Sequence, residues 1–442
     1  MTRITFMTCA ATAALALASS VLAAPALASP STATPTPSTP TPSSPTPSSP
    51  APSTPASSTA TPATPSAAGP DRGAFGQATL TGFASLPAQT FVPGSEPSGS
   101  LLGTAPVNGI TPPFPGQPVQ GFSGIVRRHD GTYDVLSDNG FGNKANSSDF
   151  LLRIHRIKPD FRAKSVQVLG GFNLTDPRGL VPFPLTRQDR TLTGADFDVE
   201  SIVRTTDGTY WIGDEFGPFL LHFDRKGRLL QAPIELPGVK APENPALNGG
   251  QPNLASSKGY EGMARSVDGR RLYPLLEGTV NGDPAGTLRM NEFDLRKGAY
   301  TGRRWTYRLD DPSHSIGDAI AVDRNRFLII ERDNLQGDAA KVKRIYLADM
   351  RDRDGDGALD KTLVADLLNI ADPRGLGGTA GTFRFPFQTI EDVAILDDRT
   401  LAVLDDNNFP FSNGRTPGQA DDNEFITIKL TQGLQADPRV SR

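Results

Sequence analysis

One pattern recurs five times along the chain, and it restricts the fold more than any other feature. Residues 122–138, 199–215, 260–277, 316–331 and 390–405 each read as a short apolar run, a polar turn, a second apolar run and a closing acid. The first three turns carry Asp130-Gly131, Asp207-Gly208 and Asp268-Gly269. Asp-Gly between apolar runs is a hairpin signal, because glycine supplies the positive φ that the turn needs. Corresponding positions are Ser123, Glu200, Glu261, Gly317 and Glu391, at intervals of 77, 61, 56 and 74 residues. Each interval has room for two more strands, at 150–157 and 165–172, 219–223 and 229–236, 288–295 and 299–309, and 342–347 and 362–368. Four antiparallel strands per repeating unit are the mark of a propeller blade.

The fifth hairpin is followed by one clear strand, 424–430, and the strand at 78–84 has no hairpin of its own. Pairing the two completes the last unit and closes the ring between the chain ends, which removes exposed sheet edges. The expected fold class is therefore all-β: a β-propeller of four-stranded antiparallel blades, five of them recognisable and five or six in total, closed by the N- and C-terminal strands. A β-sandwich accounts less well for the long-range repetition, and helical periodicity is weak throughout.

The N-terminal part sets the compartment. Arg3, an apolar stretch and Ala26-Leu27-Ala28 predict a secretory signal peptide over residues 1–28. Residues 29–70, almost wholly Pro, Ser, Thr and Ala, predict a disordered linker, because nothing in it can offset the entropy of ordering. Such a linker can hold a domain near a cell wall. The propeller is expected over 71–442. Cys9, the only cysteine, leaves with the signal peptide, so the secreted, extracellular chain must rely on its core and on bound metal for stability. The net charge of −4 becomes −5 without Arg3, which argues against nucleic acid as a partner. No later apolar run is long enough for a transmembrane segment. A monomer is expected.

In an antiparallel hairpin the residue that opens the first strand lies beside the one that ends the second. The spacings fit: 14 from Glu200 to Asp214, Gly317 to Glu331 and Glu391 to Asp405, 15 from Ser123 to Asp138, and 16 from Glu261 to Glu277. All five hairpin ends then meet on one face as a crown of carboxylates and amides. It includes Asp138, Asn139, Glu200, Asp214, Glu215, Glu261, Glu277, Asp318, Glu331, Asp333, Glu391, Asp392, Asp405, Asp406 and Asn407. So many like charges raise one another's pKa, and a hard cation relieves them. Calcium takes six to eight oxygen ligands at about 2.3–2.6 Å. The expected metal ligands in the crown are Asp138, Glu200, Glu215, Glu261, Asp318, Glu331, Glu391 and Asp406.

A second candidate is the loop 352–360, where Asp352, Asp354 and Asp356, with Gly357 and Asp360, follow the first positions of an EF-hand loop. It departs from that pattern at position 12, which is Leu363, and also reads as an Asp/Gly-rich turn between two strands of one blade. Lys258, His314, Arg332, Arg384 and Arg415 lie near the hairpin ends and are candidates for contact with an anionic substrate. No Gly-x-Ser-x-Gly, His-Glu-x-x-His or phosphate-binding glycine loop is present. Catalysis would then rest on a metal ion, with a carboxylate activating water. Glu200, Glu261, Asp214, Arg332 and His314 are the candidate catalytic residues.

At these hairpins the chain resembles the phytase-like family, described as having esterase-like activity of phytase. The resemblance rests on Tyr260-Glu-Gly-Met-Ala with Asp268-Gly269, on Asp196-Phe-Asp-Val-Glu200-Ser with Trp211-Ile-Gly-Asp-Glu-Phe-Gly217, on Leu328-Ile-Ile-Glu-Arg-Asp333, and on Asp405-Asp-Asn-Asn-Phe409. It runs from about Phe122 to Leu430 and implies a secreted propeller that hydrolyses an ester of a small anionic molecule, most simply a phosphomonoester. Two alternatives remain at this stage. A calcium-dependent lactonase or carboxylesterase would want a more apolar rim, which Phe141, Phe216, Phe409 and Phe411 could supply. A non-catalytic surface protein would bind metal without turnover. The third repeat ends in Leu275-Leu276-Glu277, which leaves its contribution to the crown open.

Overall fold

The structure is a computed structural model that describes residues 75–441. The expected signal peptide and linker lie outside the described residues. Among these residues the fold is all-β, with strands and three short 3-10 turns but no α-helix. No helix is long and apolar enough to cross a membrane.

Each of the five sequence hairpins is present. They are Phe122–Arg127 with Tyr133–Ser137, Val199–Arg204 with Tyr210–Asp214, Tyr260–Arg265 with Arg271–Leu276, Ser315–Ala321 with Arg326–Arg332, and Thr389–Asp397 with Thr400–Asp406. The Asp-Gly turns form as expected, with φ of 75°, 85° and 71° at Gly131, Gly208 and Gly269. In each the aspartate carboxylate accepts from the N–H two residues on, at Thr132, Thr209 and Arg270. Two further antiparallel strands complete each of the first four groups: Arg153–Asp160 and Ser165–Asn173, Phe219–Phe223 and Ile234–Glu235, Thr287–Asp294 and Ala299–Arg308, and Lys343–Asp349 and Asp360–Asp366. The fourth strand of the second group, expected over 229–236, shrinks to two residues.

The last group closes as the sequence predicts. Thr79–Leu86, from the start of the domain, pairs antiparallel with Asn423–Lys429 from its end, in a register running from Thr79 opposite Lys429 to Leu86 opposite Asn423. The first strands of successive groups lie against one another in sequence order, and the fifth returns to the first, so the arrangement is a propeller-like ring. The core is divided to match. Five hydrophobic clusters each join two neighbouring groups: Leu136 with Ile212, Trp211 with Phe293, Tyr273 with Phe327, Leu328 with Val403, and Leu404 with Val135. Both faces of most strands are therefore buried, which is why their sequences read as apolar runs more than as clean alternations.

Candidate functional site

Every first strand carries an irregularity just after its opening residue. The pairing skips Ser123, Glu200, Glu261 and Glu391, and skips Gly317 and Asp318 in the fourth group. A β-bulge inserts an extra residue, bends the strand and re-aims its side chain. Here it turns one position per group toward the ring axis. The fourth group has glycine there for a steric reason: a Cβ on Gly317 would lie 2.0 Å from the Ile390 carbonyl oxygen.

The bulge also changes which residue ends each hairpin at the site. The ring is Asp138, Glu215, Glu277, Arg332 and Asp406, one from each group, and all five line a common cavity of about 160 Å³. Their separations from the bulged positions are 15, 15, 16, 15 and 15 residues. Alternation along the second strand sends the preceding residue the other way. Asp214 and Glu331 are therefore not at the cavity, contrary to the sequence expectation. Asp214 accepts from the N–H groups of Asp198 and Gly217 and so fixes the loop that carries Asp198. Glu331 is buried among Tyr307, His314 and Lys361, at 2.8, 2.9 and 2.7 Å. His314 is held in that cluster and does not reach the cavity.

Other expectations change for similar reasons. Asp318 is turned toward the opposite side of the ring, where its oxygens accept from the Ala319 and Val393 N–H groups. Asp405 accepts from Glu424 N–H behind the ring. Asp352, Asp354 and Asp356, by contrast, are brought together as the sequence expects, exposed and with oxygens within 4.8 Å of one another, a group that could hold a cation; the same carboxylates also accept from the N–H groups of Gly355, Gly357, Asp356 and Ala358, and Arg308 binds Asp356. Arg415 pairs with Glu424 and lies over Phe387, away from the cavity. Phe141, Phe216 and Phe409 lie beneath the rim at no more than 2% exposure, while Phe411 is exposed. The rim is thus polar.

The cavity brings together eight carboxylates, from Asp138, Asp198, Glu200, Glu215, Glu261, Glu277, Glu391 and Asp406, and two cations, Lys258 and Arg332. Asp198 was not foreseen. It precedes the bulge by two residues, and its carboxylate accepts from Asn139 Nδ2 at 2.6 Å and Ser257 Oγ at 2.9 Å. The cations occupy one side. Arg332 Nη2 donates to Glu391 Oε1 at 3.0 Å and Glu261 Oε1 at 3.4 Å and lies 3.6 Å from Glu277 Oε1. Lys258 Nζ also binds Glu277. The other side has carboxylates without counter-ions. Asp138 and Asp406 approach each other over Gly121, where a Cβ would stand 3.0 and 3.1 Å from their Oδ1 atoms.

Two cations against eight carboxylates leave six uncompensated, and the site must hold protons or metal. Burial, then the neighbouring Asp406 and Asp198, pushes the Asp138 carboxyl well above its ordinary range. Burial and Asp198 do the same to Glu200, and burial and Glu277 to Glu215 and Glu261. Asp406 is pushed up to about 8 by burial and Glu391. Within the cavity two groups of donors could hold a cation, Asp198 with Glu200 and Glu215, and Glu215 with Glu261 and Glu277, each with oxygens within 4.8 Å of one another. The donor set is all oxygen, and Glu215 Oε1 is buried without a hydrogen-bond partner, so the residues fit a hard cation.

A pH dependence follows. Asp406 rises to about 8, and Asp214 and Asp318 to about 7, chiefly through burial. In the unfolded chain these carboxyls titrate near 4. Between the two values the folded state holds more protons than the unfolded one, so stability falls as pH rises. Protein treated with a chelator is expected to melt at a lower temperature at pH 8 than at pH 5. Equal or rising melting temperatures would contradict this charge distribution.

A family model described as "Phytase-like: Esterase-like activity of phytase" matches residues 117–409, which include all eight carboxylates of the cavity. A protein described as an uncharacterized secreted protein of Arthroderma benhamiae is 28% identical over 190 residues, 33% of this chain and 36% of that protein. This match thus spans about a third of that relative's length. Among solved structures, a putative 6-phosphogluconolactonase from Bacteroides uniformis aligns at 12% identity and a TM-score of 0.34 over 71% of this chain and 84% of its own. A periplasmic gluconolactonase of Pseudomonas aeruginosa aligns at 13% identity and a TM-score of 0.29 over 69% and 73%.

Proposed function

Since the chain belongs to the phytase-like family, matched over residues 117–409, we propose that it is a secreted hydrolase of small anionic esters, first of all phosphomonoesters, working with calcium at the acidic mouth of a five-bladed propeller. The observation that carries the reading is the excess of buried carboxylate over cation in one small polar cavity, with Glu215 Oε1 unpartnered at the junction of two donor groups. Asp198, Glu200 and Glu215 would hold the ion, and Glu261 and Glu277 would hold a second together with Glu215. When bound, calcium supplies positive charge to draw in an anionic ester and to polarise its oxygen.

The remaining roles belong to the chain. Arg332 and Lys258 hold the glutamates on their side in position and add positive charge to that wall. Asp138 and Asp406 are the candidates for moving a proton to or from water, because burial, with Asp406 acting on Asp138 and Glu391 acting on Asp406, lifts both carboxyls well above their ordinary range, Asp406 to about 8. Of the five catalytic candidates read from the sequence, Glu200, Glu261 and Arg332 remain in the proposal, while Asp214 and His314 leave it. The polar rim disfavours the carboxylesterase alternative, since no aromatic side chain lines the cavity.

The test is calcium titration by calorimetry on the secreted protein, with hydrolysis of para-nitrophenyl phosphate and para-nitrophenyl acetate followed in parallel. Calcium binding with phosphate release that stops on chelation is the expected result. Acetate release alone would indicate a carboxylesterase, and binding without turnover a non-catalytic protein. Absence of calcium binding would overturn the reading.

A further inference from the structure

The first strands of the first three groups, which open at the crown with Ser123, Glu200 and Glu261, end at the other mouth of the ring in arginine. Arg127, Arg204 and Arg265 are the last residues of the strands Phe122–Arg127, Val199–Arg204 and Tyr260–Arg265, at the same place in three successive repeats. They stand roughly 13 Å along the strands from the bulged positions, at about 3.3 Å per residue. All three, with Arg439 from the end of the chain, line a cavity of about 450 Å³ whose walls include Ile125, Ile202 and Met263. That volume lies within the range of about 300–1,000 Å³ usual for small-molecule sites, and it exceeds the 160 Å³ of the acidic cavity.

The charge balance here is the reverse of the crown. About half of the arginines among the described residues bind a carboxylate, as Arg128, Arg156, Arg190, Arg289 and Arg326 do. No ion pair is formed by Arg127, Arg204 or Arg265 among the described residues. Arg127 donates to the Leu396 and Ser441 carbonyls. Arg204 lies over the Tyr210 ring, and its buried Nε has no hydrogen-bond partner. Of the acids nearby, Asp318 at the inner end has its oxygens on backbone N–H groups, Asp268 accepts from Ser266 Oγ and the Arg270 N–H, and Asp437 binds Arg439. Arg204 and Arg265 are half-buried without a counter-ion, and an oxyanion that accepts from them offsets the cost of partly withdrawing the charge from water.

We propose that this second mouth is a binding site for a small organic oxyanion, a phosphate, sulfonate or carboxylate carried on an apolar body. The arginines take the charged end and the aliphatic wall takes the rest. The site is independent of the acidic cavity and of whatever reaction occurs there.

A non-hydrolysable probe, 1-naphthalenesulfonate, separates the two mouths in a calorimetric titration of the whole secreted protein. One probe is expected to bind per chain. R204Q and R265Q are each expected to weaken it roughly tenfold or more, the loss of one charge-assisted hydrogen bond, while Glu215→Gln at the crown leaves it unchanged. Arg127 is exposed, so R127Q gives the same reading even if a more buried variant fails to fold. Absence of binding, equal affinity in the arginine variants, or loss of binding in Glu215→Gln would each overturn the proposal.

Discussion

Glu215→Gln is expected to weaken calcium binding by more than about 100-fold and to remove metal-dependent ester hydrolysis with it. Substitutions that only orient a metal ligand already cost about 10–100-fold in affinity, and Glu215 is the residue common to both donor groups. Its Oε1 is buried without a hydrogen-bond partner, and the charge of nearby Lys258 is shared with Glu277, so the exchange of a carboxylate for an amide removes an oxygen that no hydrogen bond within the protein engages. Glu391→Gln is the informative comparison. Glu391 is equally buried in the cavity, but its carboxylate is engaged by Arg332 at 3.0 Å. Its loss should weaken calcium several-fold, well short of Glu215. Titration of both variants by calorimetry checks the order. Equal affinities in Glu215→Gln and the wild type would remove the metal site from this part of the crown.

That contrast depends on a one-residue register that the sequence carried without displaying it. The five hairpins, their Asp-Gly turns and the closing strand are local and strongly patterned, and apolar runs and turn chemistry locate them directly. The crown is subtler. Counting 14 residues from Glu200, Gly317 and Glu391 leads to Asp214, Glu331 and Asp405, which would be right for an unbroken antiparallel ladder. The bulge adds one residue to each first strand, and side-chain alternation then moves the site to Glu215, Arg332 and Asp406. A count of 15 aligns four of the five groups and places Arg332 in the ring as the one cation among acids, which is why, of the residues named from the sequence, Glu215, Arg332 and Asp406 reach the cavity and Asp214 and Glu331 do not. Asp198 was hidden for a different reason: its position is set by the Asp214 carboxylate behind it, a tertiary contact with no periodic trace. Glu277, left open by its apolar neighbours, takes its place because the third hairpin is longer by one residue, at 16.

Arg332→Ala tests the electrostatic account from the other direction. Arg332 is 4% exposed, and its guanidinium lies within 3.6 Å of Glu391, Glu261 and Glu277. Burial alone would lower its affinity for a proton, and the three glutamates outweigh that and raise it. Removing one partner of a buried ionic group costs about 3–5 kcal/mol, because the charge left behind has neither water nor a counter-ion. A loss of that size is expected for Arg332→Ala at neutral pH in the presence of a chelator, measured by urea unfolding. The cause can be separated from lost packing. If like-charge repulsion among the glutamates dominates, their protonation at pH 5 or the addition of calcium should return much of the stability. Arg332→Met, which fills most of the volume without the charge, should then behave like Arg332→Ala. Stability that Arg332→Met restores, and that neither acid nor calcium restores in Arg332→Ala, would show that Arg332 is held in the ring by packing and that the excess negative charge of the crown is not what strains it.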